Sequence, residues 1–137
     1  VKAVYLWIYY MSSIFTKIIV GDVPGYQIYE DDYVWAILDI NPIQKGHTLI
    51  IPKQEVDQLF ELDEKMFDHM MHRVRYLAQV LKAKLDCKRV CVFVEGYGVP
   101  HVHVHLVPTN VPADFDKSLV YSATKEELEE MQKLLQS

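Results

Sequence analysis

Pro100-His101-Val102-His103-Val104-His105-Leu106-Val107-Pro108 decides how this chain is read. Half of its 6 histidines fall there, at alternating positions. Successive side chains of a β-strand point to opposite faces. The pattern therefore predicts a strand with His101, His103 and His105 on one face and Val102, Val104 and Leu106 turned into a core. A proline at either end fits a strand with hard limits. A buried neutral imidazole needs both a donor and an acceptor partner, and an unpaired buried polar group is costly. That cost points to chemistry rather than packing.

The flanking sequence supplies the rest of a sheet. Arg89–Glu95 (RVCVFVE) reads as a fourth strand, apolar enough for a central place, and Glu95-Gly96-Tyr97-Gly98 is a tight link into the histidine strand. Upstream, Phe67, Met70, Val74, Leu77, Leu81 and Leu85 recur at three- and four-residue steps, which predicts a long helix from Asp63, its cap, to Leu85. His69 and His72 lie off much of that stripe and read as a solvated helix face. Tyr26–Glu30 and Val34–Leu38 form a hairpin around Asp31-Asp32, and His47–Pro52 is a third strand after the Lys45-Gly46 turn. Ser12 or Ser13 caps a short helix carrying Ile14, Phe15, Ile18 and Ile19 and stopped by Gly21. Asn110–Tyr121 reads as a loop, and the Thr124-x-x-Glu127 capping box opens a last helix to about Gln136, with Leu128, Met131 and Leu135 inward. Short links between strands favour antiparallel pairing. The expected architecture is α+β: an antiparallel sheet of about five strands with a long helix packed on it.

At 137 residues the chain fits one domain, residues 11–137, and its 50% apolar content supports a core. Val1–Tyr10 (VKAVYLWIYY) lacks a period and precedes Met11; it reads as a leader or an artificial extension, with an added β-strand as the alternative. A net charge of −5 with mixed signs argues against a nucleic-acid partner. Two cysteines, Cys87 and Cys91, are too few for a disulfide scaffold and fit reduced thiols in a cytoplasmic protein. No apolar run reaches the roughly 20 residues of a membrane-spanning helix.

The histidines admit three readings. Same-face neighbours on a strand sit roughly 6.6 Å apart and the outer pair roughly 13 Å, so two could share a metal ion and three would be strained. A neutral imidazole is also a good nucleophile toward phosphorus, and its reference pKa of about 6.5 leaves it mostly neutral at cellular pH. In the third reading the rings are simply satisfied at a strand edge.

His101-Val-His103-Val-His105-Leu-Val107 resembles the signature of the histidine-triad (HIT) superfamily of nucleotide hydrolases and transferases. Ile28-Tyr29-Glu30-Asp31-Asp32, Ala36-Ile37-Leu38-Asp39-Ile40-Asn41-Pro42 and Gly46–Lys53 (GHTLIIPK) resemble its Hint-like branch, so the likeness runs from about Ser13 to Pro108. The resemblance implies that His103 attacks the α-phosphorus of a purine nucleotide conjugate, forming a nucleotidyl-phosphohistidine that water releases. His105 would donate to a phosphate oxygen, with His101 and His47 supporting the ring geometry. Asp39 would bind the ribose hydroxyls, and Ile14, Phe15, Ile18, Ile37 and Ile40 would line the base pocket. It further implies a homodimer paired through the long helix and the fourth strand, and no cofactor.

The chain departs from the family pattern in two places. Where many relatives carry a Cys-x-x-Cys that helps bind structural zinc, this chain reads Ser13-Ile14-Phe15-Thr16, so no such zinc is expected. The loop before His101 is shorter and lacks the Gln and hydroxyl donors of relatives; backbone N–H groups of Gly96 and Gly98 are the expected phosphate donors in their place. Two other functional classes stand beside the hydrolase: a nucleotide-binding or protein-interaction module with little turnover, and a metal enzyme using His101, His103 and His47.

Overall fold

Apolar, β-branched runs joined by short links pair antiparallel, and the computed structural model shows how. It describes residues 12–137; the reading of Val1–Tyr10 lies outside the described residues. The strands are β1 (Gln27–Glu30), β2 (Val34–Leu38), β3 (Thr48–Pro52), β4 (Arg89–Phe93) and β5 (Val104–Thr109), in one antiparallel sheet ordered β1-β2-β3-β5-β4. The helices are α1 (Ile14–Ile19), α2 (Glu64–Leu85) and α3 (Lys125–Gln136). Asp63 caps α2 by accepting from Met66 N–H, Thr124 and Glu127 close the capping box of α3, and Ser13 caps α1.

The register sorts the side chains into two layers. Ile37, Leu49 and His105 lie opposite one another across β2, β3 and β5, and so do Ala36, Ile50 and Val104 one residue along. Directly paired residues share a face and neighbours in sequence do not. Val34, Ala36, Leu38, Ile50, Val102, Val104 and Leu106 accordingly pack with Met70, Val74, Leu77 and Leu81 of α2 and Leu128 and Leu135 of α3. Trp35, Ile37, Leu49 and Ile51 pack on the opposite face with Phe15, Ile18 and Ile19. β2 and β3, covered on both sides, are buried throughout. The histidine face is the α1 face.

Five expectations need correction. The histidine strand begins at Val104, not at Pro100, because Val102 N–H donates to Val56 O and His101 N–H to Val99 O, outside any ladder. Pro108 lies inside β5, beyond the last pair with β3, Thr48↔Leu106, and is paired with Val90 of β4. β4 ends at Phe93 and is an edge strand, with Val92 49% exposed. His69 is not simply solvated: its ring lies against Tyr33 and bonds Asp31 Oδ2 at 2.7 Å, tying α2 to the β1–β2 turn. The Asn110–Tyr121 loop carries two 3-10 turns, Pro112–Asp114 and Lys117–Leu119.

Candidate active site

The order of protons in the site follows from groups that can act in only one way. A backbone N–H only donates, a carbonyl only accepts, and a neutral imidazole carries one N–H. Ile43 N–H lies 3.0 Å from His47 Nδ1, so that nitrogen accepts and Nε2 holds the proton. His47 Nε2–H then donates to His105 Nδ1 at 2.9 Å, which leaves His105 with its N–H on Nε2. On the neighbouring ring, His103 Nδ1–H donates to the His101 carbonyl at 2.8 Å. His103 Nε2 therefore keeps a free lone pair. One ring offers a nucleophilic nitrogen and the ring beside it, 4.8 Å away between centroids, offers a proton donor.

Both assignments require uncharged rings. Burial first, then the neighbouring His103, pushes His47 down to about 4. Burial, His103, His47 and Lys117, in that order, push His105 down to about 3. Such rings take up protons on unfolding, so the unfolded chain binds more protons as pH falls through 6.5, and stability rises with pH in that window. The expected result is a urea-unfolding midpoint that holds above pH 6.5 and falls steadily toward pH 4, with a shallower fall in His105→Gln. A midpoint flat across that interval would show that the rings are charged in the folded chain.

A cavity of about 350 Å³ opens on this face. His103 and His105 line it beside Ile14, Phe15, Ile18, Ile37, Ile40 and Asp39, so the structure gathers these expected residues at one place. Phe15 stands edge-on to His103, with ring centroids 4.8 Å apart. Gly25 lets the Val23–Gly25 turn close on α1: a Cβ there would lie 2.4 Å from Ile18 Cγ2. Asp39 holds Asn41 N–H with Oδ1 at 2.9 Å, and Oδ2 stands 3.6 Å from His47 Nε2, beyond hydrogen-bond range. Burial raises its pKa, outweighing that backbone hydrogen bond.

His47 and fully buried His101 stand outside the lining and act on the two lining rings from behind. Gly96 and Gly98 also lie outside it; Val99 is the one lining residue from their loop. The convergent metal-type set among the described residues is Asp39, His47 and His105, with ligand atoms within 4.8 Å of one another, and not the His101, His103 and His47 of the metal-enzyme alternative. His101 has both ring nitrogens engaged, by Ser13 Oγ and Pro52 O. His47 and His105 share a proton, which a cation would have to displace.

Three contributors were not legible as site residues. Phe93 stacks flat on His105, with centroids 4.1 Å apart and planes 9° from parallel. Phe115 stands edge-on to Phe93, and Lys117, paired with Glu95, lies 4.9 Å over its ring. In sequence Phe93 is one more apolar residue of β4; only the position opposite His105 in the register marks it. Ser13 reads as a helix cap and Glu55 as part of a link, yet both reach His101.

Comparison with known proteins gives the family of the chain. Residues 20–111 match the HIT domain family. Protein hit of Bacillus subtilis is 34% identical over 102 residues, covering 71% of this chain and 70% of that protein. Adenosine 5'-monophosphoramidase HNT1 of Candida albicans is 33% identical over 142 residues, covering 85% and 91%. Among solved structures, the zinc-bound histidine triad family protein of Mycobacterium smegmatis superposes with a TM-score of 0.76 at 29% identity, covering 92% of this chain and 91% of that one.

Proposed function

This chain belongs to the HIT domain family, and on that premise we propose that it hydrolyses purine nucleotide conjugates at the α-phosphate through a nucleotide covalently held on His103. The observation that carries the reading is the paired tautomer assignment: a free His103 Nε2 beside a His105 Nε2–H, both on one cavity wall. The Nε2 lone pair of His103 attacks phosphorus and the bond to the leaving group breaks, its electron pair departing with that group, which takes a proton from solvent water; the water that later attacks phosphorus returns one to solvent. His105 Nε2–H donates to a non-bridging phosphate oxygen, where negative charge builds in the transition state. Water then attacks the phosphorus, the P–Nε2 bond breaks, and the mononucleotide leaves with His103 restored. The His103 Nδ1–H bond to the His101 carbonyl persists through both steps and holds the ring in line.

Recognition follows from the lining. Asp39 Oδ2 accepts from ribose hydroxyls, and the apolar slot of Ile14, Phe15, Ile18, Ile37 and Ile40 takes the base by stacking and shape. Gly96 and Gly98 supply backbone N–H groups to the leaving-group side, reached once substrate extends beyond the cavity. Adenosine phosphoramidates are the first substrates to try, given the monophosphoramidase named among the relatives. The same reading carries a homodimer: among the described residues β4 is an unpaired sheet edge, with Val92 and the following Val94 exposed, which a second copy would cover. The free thiols of Cys87 and Cys91 fit a reducing, cytoplasmic setting. No helix among the described residues is long and apolar enough to cross a membrane.

A second reading, a nucleotide-binding module with little turnover, draws on the placement of Gly96 and Gly98 outside the lining. The two are separated by mixing the protein with adenosine 5'-phosphoramidate in chelator, quenching, and weighing the intact chain. The expected result is a transient single-AMP adduct with accumulating AMP. Binding of AMP without adduct or release would move the assignment to the module.

A further inference from the structure

Four polar side chains, Ser13, Thr16, Glu55 and His101, meet outside the cavity lining and behind the nucleophile. This is the place where the family resemblance puts a structural zinc. The residues present do not fit one. Zinc in a structural site takes thiolates and imidazoles, and here two neutral hydroxyls and one carboxylate stand beside a single ring. Every one of these groups is already engaged in a hydrogen bond.

The bonds form a directed chain. The Pro52 carbonyl can only accept, so His101 Nε2 carries the proton, 2.8 Å away. Its Nδ1 must then accept, and Ser13 Oγ–H donates to it at 2.6 Å. The Glu55 carboxylate holds the donor in place, accepting from Ser13 N–H and from Thr16 Oγ1–H, while Ser13 Oγ accepts Thr16 N–H at 3.1 Å. The His101 ring is thus anchored to α1 on one side and to the end of β3 on the other. The carbonyl of the same residue receives His103 Nδ1–H.

We propose that Ser13 and Glu55 are positioning residues that fix His101, and through its carbonyl the tautomer of the nucleophile, by hydrogen bonds in place of a metal. The proposal rests on the reading of His103 as nucleophile. Removing the Ser13 hydroxyl leaves a fully buried imidazole nitrogen without a partner, and the ring gains a reason to turn. The consequence falls on the alignment of His103, not on substrate binding.

The test uses the full chain, labelled with ¹⁵N-histidine. Long-range ¹H–¹⁵N spectra report each ring's tautomer with no need for turnover. The wild type is expected to show His101 as Nε2–H and His103 as Nδ1–H, and as purified to hold far less than one zinc per chain. In Ser13→Ala the single His103 tautomer is lost and kcat on adenosine 5'-phosphoramidate falls about tenfold or more, with KM within about twofold. Ser13→Thr, which keeps the hydroxyl and the helix cap, restores both. Unchanged His103 spectra and unchanged kcat in Ser13→Ala would overturn the proposal, as would a stoichiometric zinc that Ser13→Ala loses. If the wild type turns nothing over, the function assigned above fails, and the tautomers in wild type and Ser13→Ala still decide the positioning.

Discussion

His103→Ala releases no AMP from adenosine 5'-phosphoramidate and forms no adduct, with kcat at least about 10⁴-fold below wild type. The magnitude follows from removing the attacking atom itself. His105 cannot take over, because its Nδ1 is occupied by the proton of His47 Nε2 and its Nε2 carries the remaining hydrogen. His101 cannot either, since both of its nitrogens are engaged and the ring is fully buried. Stability should fall by about 1–3 kcal/mol, because the buried ring leaves Phe15 and the His101 carbonyl loses its donor. A chain that is still folded in the absence of urea, with no turnover, is the expected pair of results. Residual AMP release within a hundredfold of wild type would mean that water attacks directly, and the covalent route would be abandoned.

The alternation of histidine with aliphatic residues was enough to place His103 and His105 on one face and Val104 and Leu106 on the other, because the two-residue period of a strand is a property of the backbone. The caps at Asp63 and Thr124 were equally local and equally legible. What the sequence did not show depends on groups brought together from far apart. His101 reads as the first residue of a strand, yet residues 52 to 56 take its hydrogen bonds through Pro52 O and, at the next residue, Val56 O. Glu55 and Phe93 sit in stretches whose composition is ordinary; their roles come from a 42-residue and a 12-residue separation closed by the fold. The misplacement of β4 has a different cause. Apolar residues on a strand mark a surface to be covered, and composition does not say whether a neighbouring strand or a second chain covers it.

Leu106→Ala should bring the largest loss of stability without a matching loss of chemistry, about 2–5 kcal/mol. Leu106 is completely buried, in the cluster that β5 shares with α2. It is held between Thr48 of β3 and Val92 of β4, so the ladder on both sides keeps the backbone from closing over the lost methyl groups. That rigidity puts the cost in the upper part of the range, a large share of the roughly 5–15 kcal/mol that holds a domain folded. His105 precedes Leu106 in the strand and points to the other face, toward His47 and Phe93, neither of which belongs to the Leu106 cluster. Urea unfolding of Leu106→Ala beside Val92→Ala, whose side is half exposed, measures the first claim; the second variant should shift by about 0.5 kcal/mol or less. Turnover measured well below the lowered melting point decides the second, and kcat should stay within a few-fold of wild type. If kcat instead collapses while the chain is still folded, the two faces of β5 are mechanically coupled, and the geometry of the histidines depends on core packing as much as on their own hydrogen bonds.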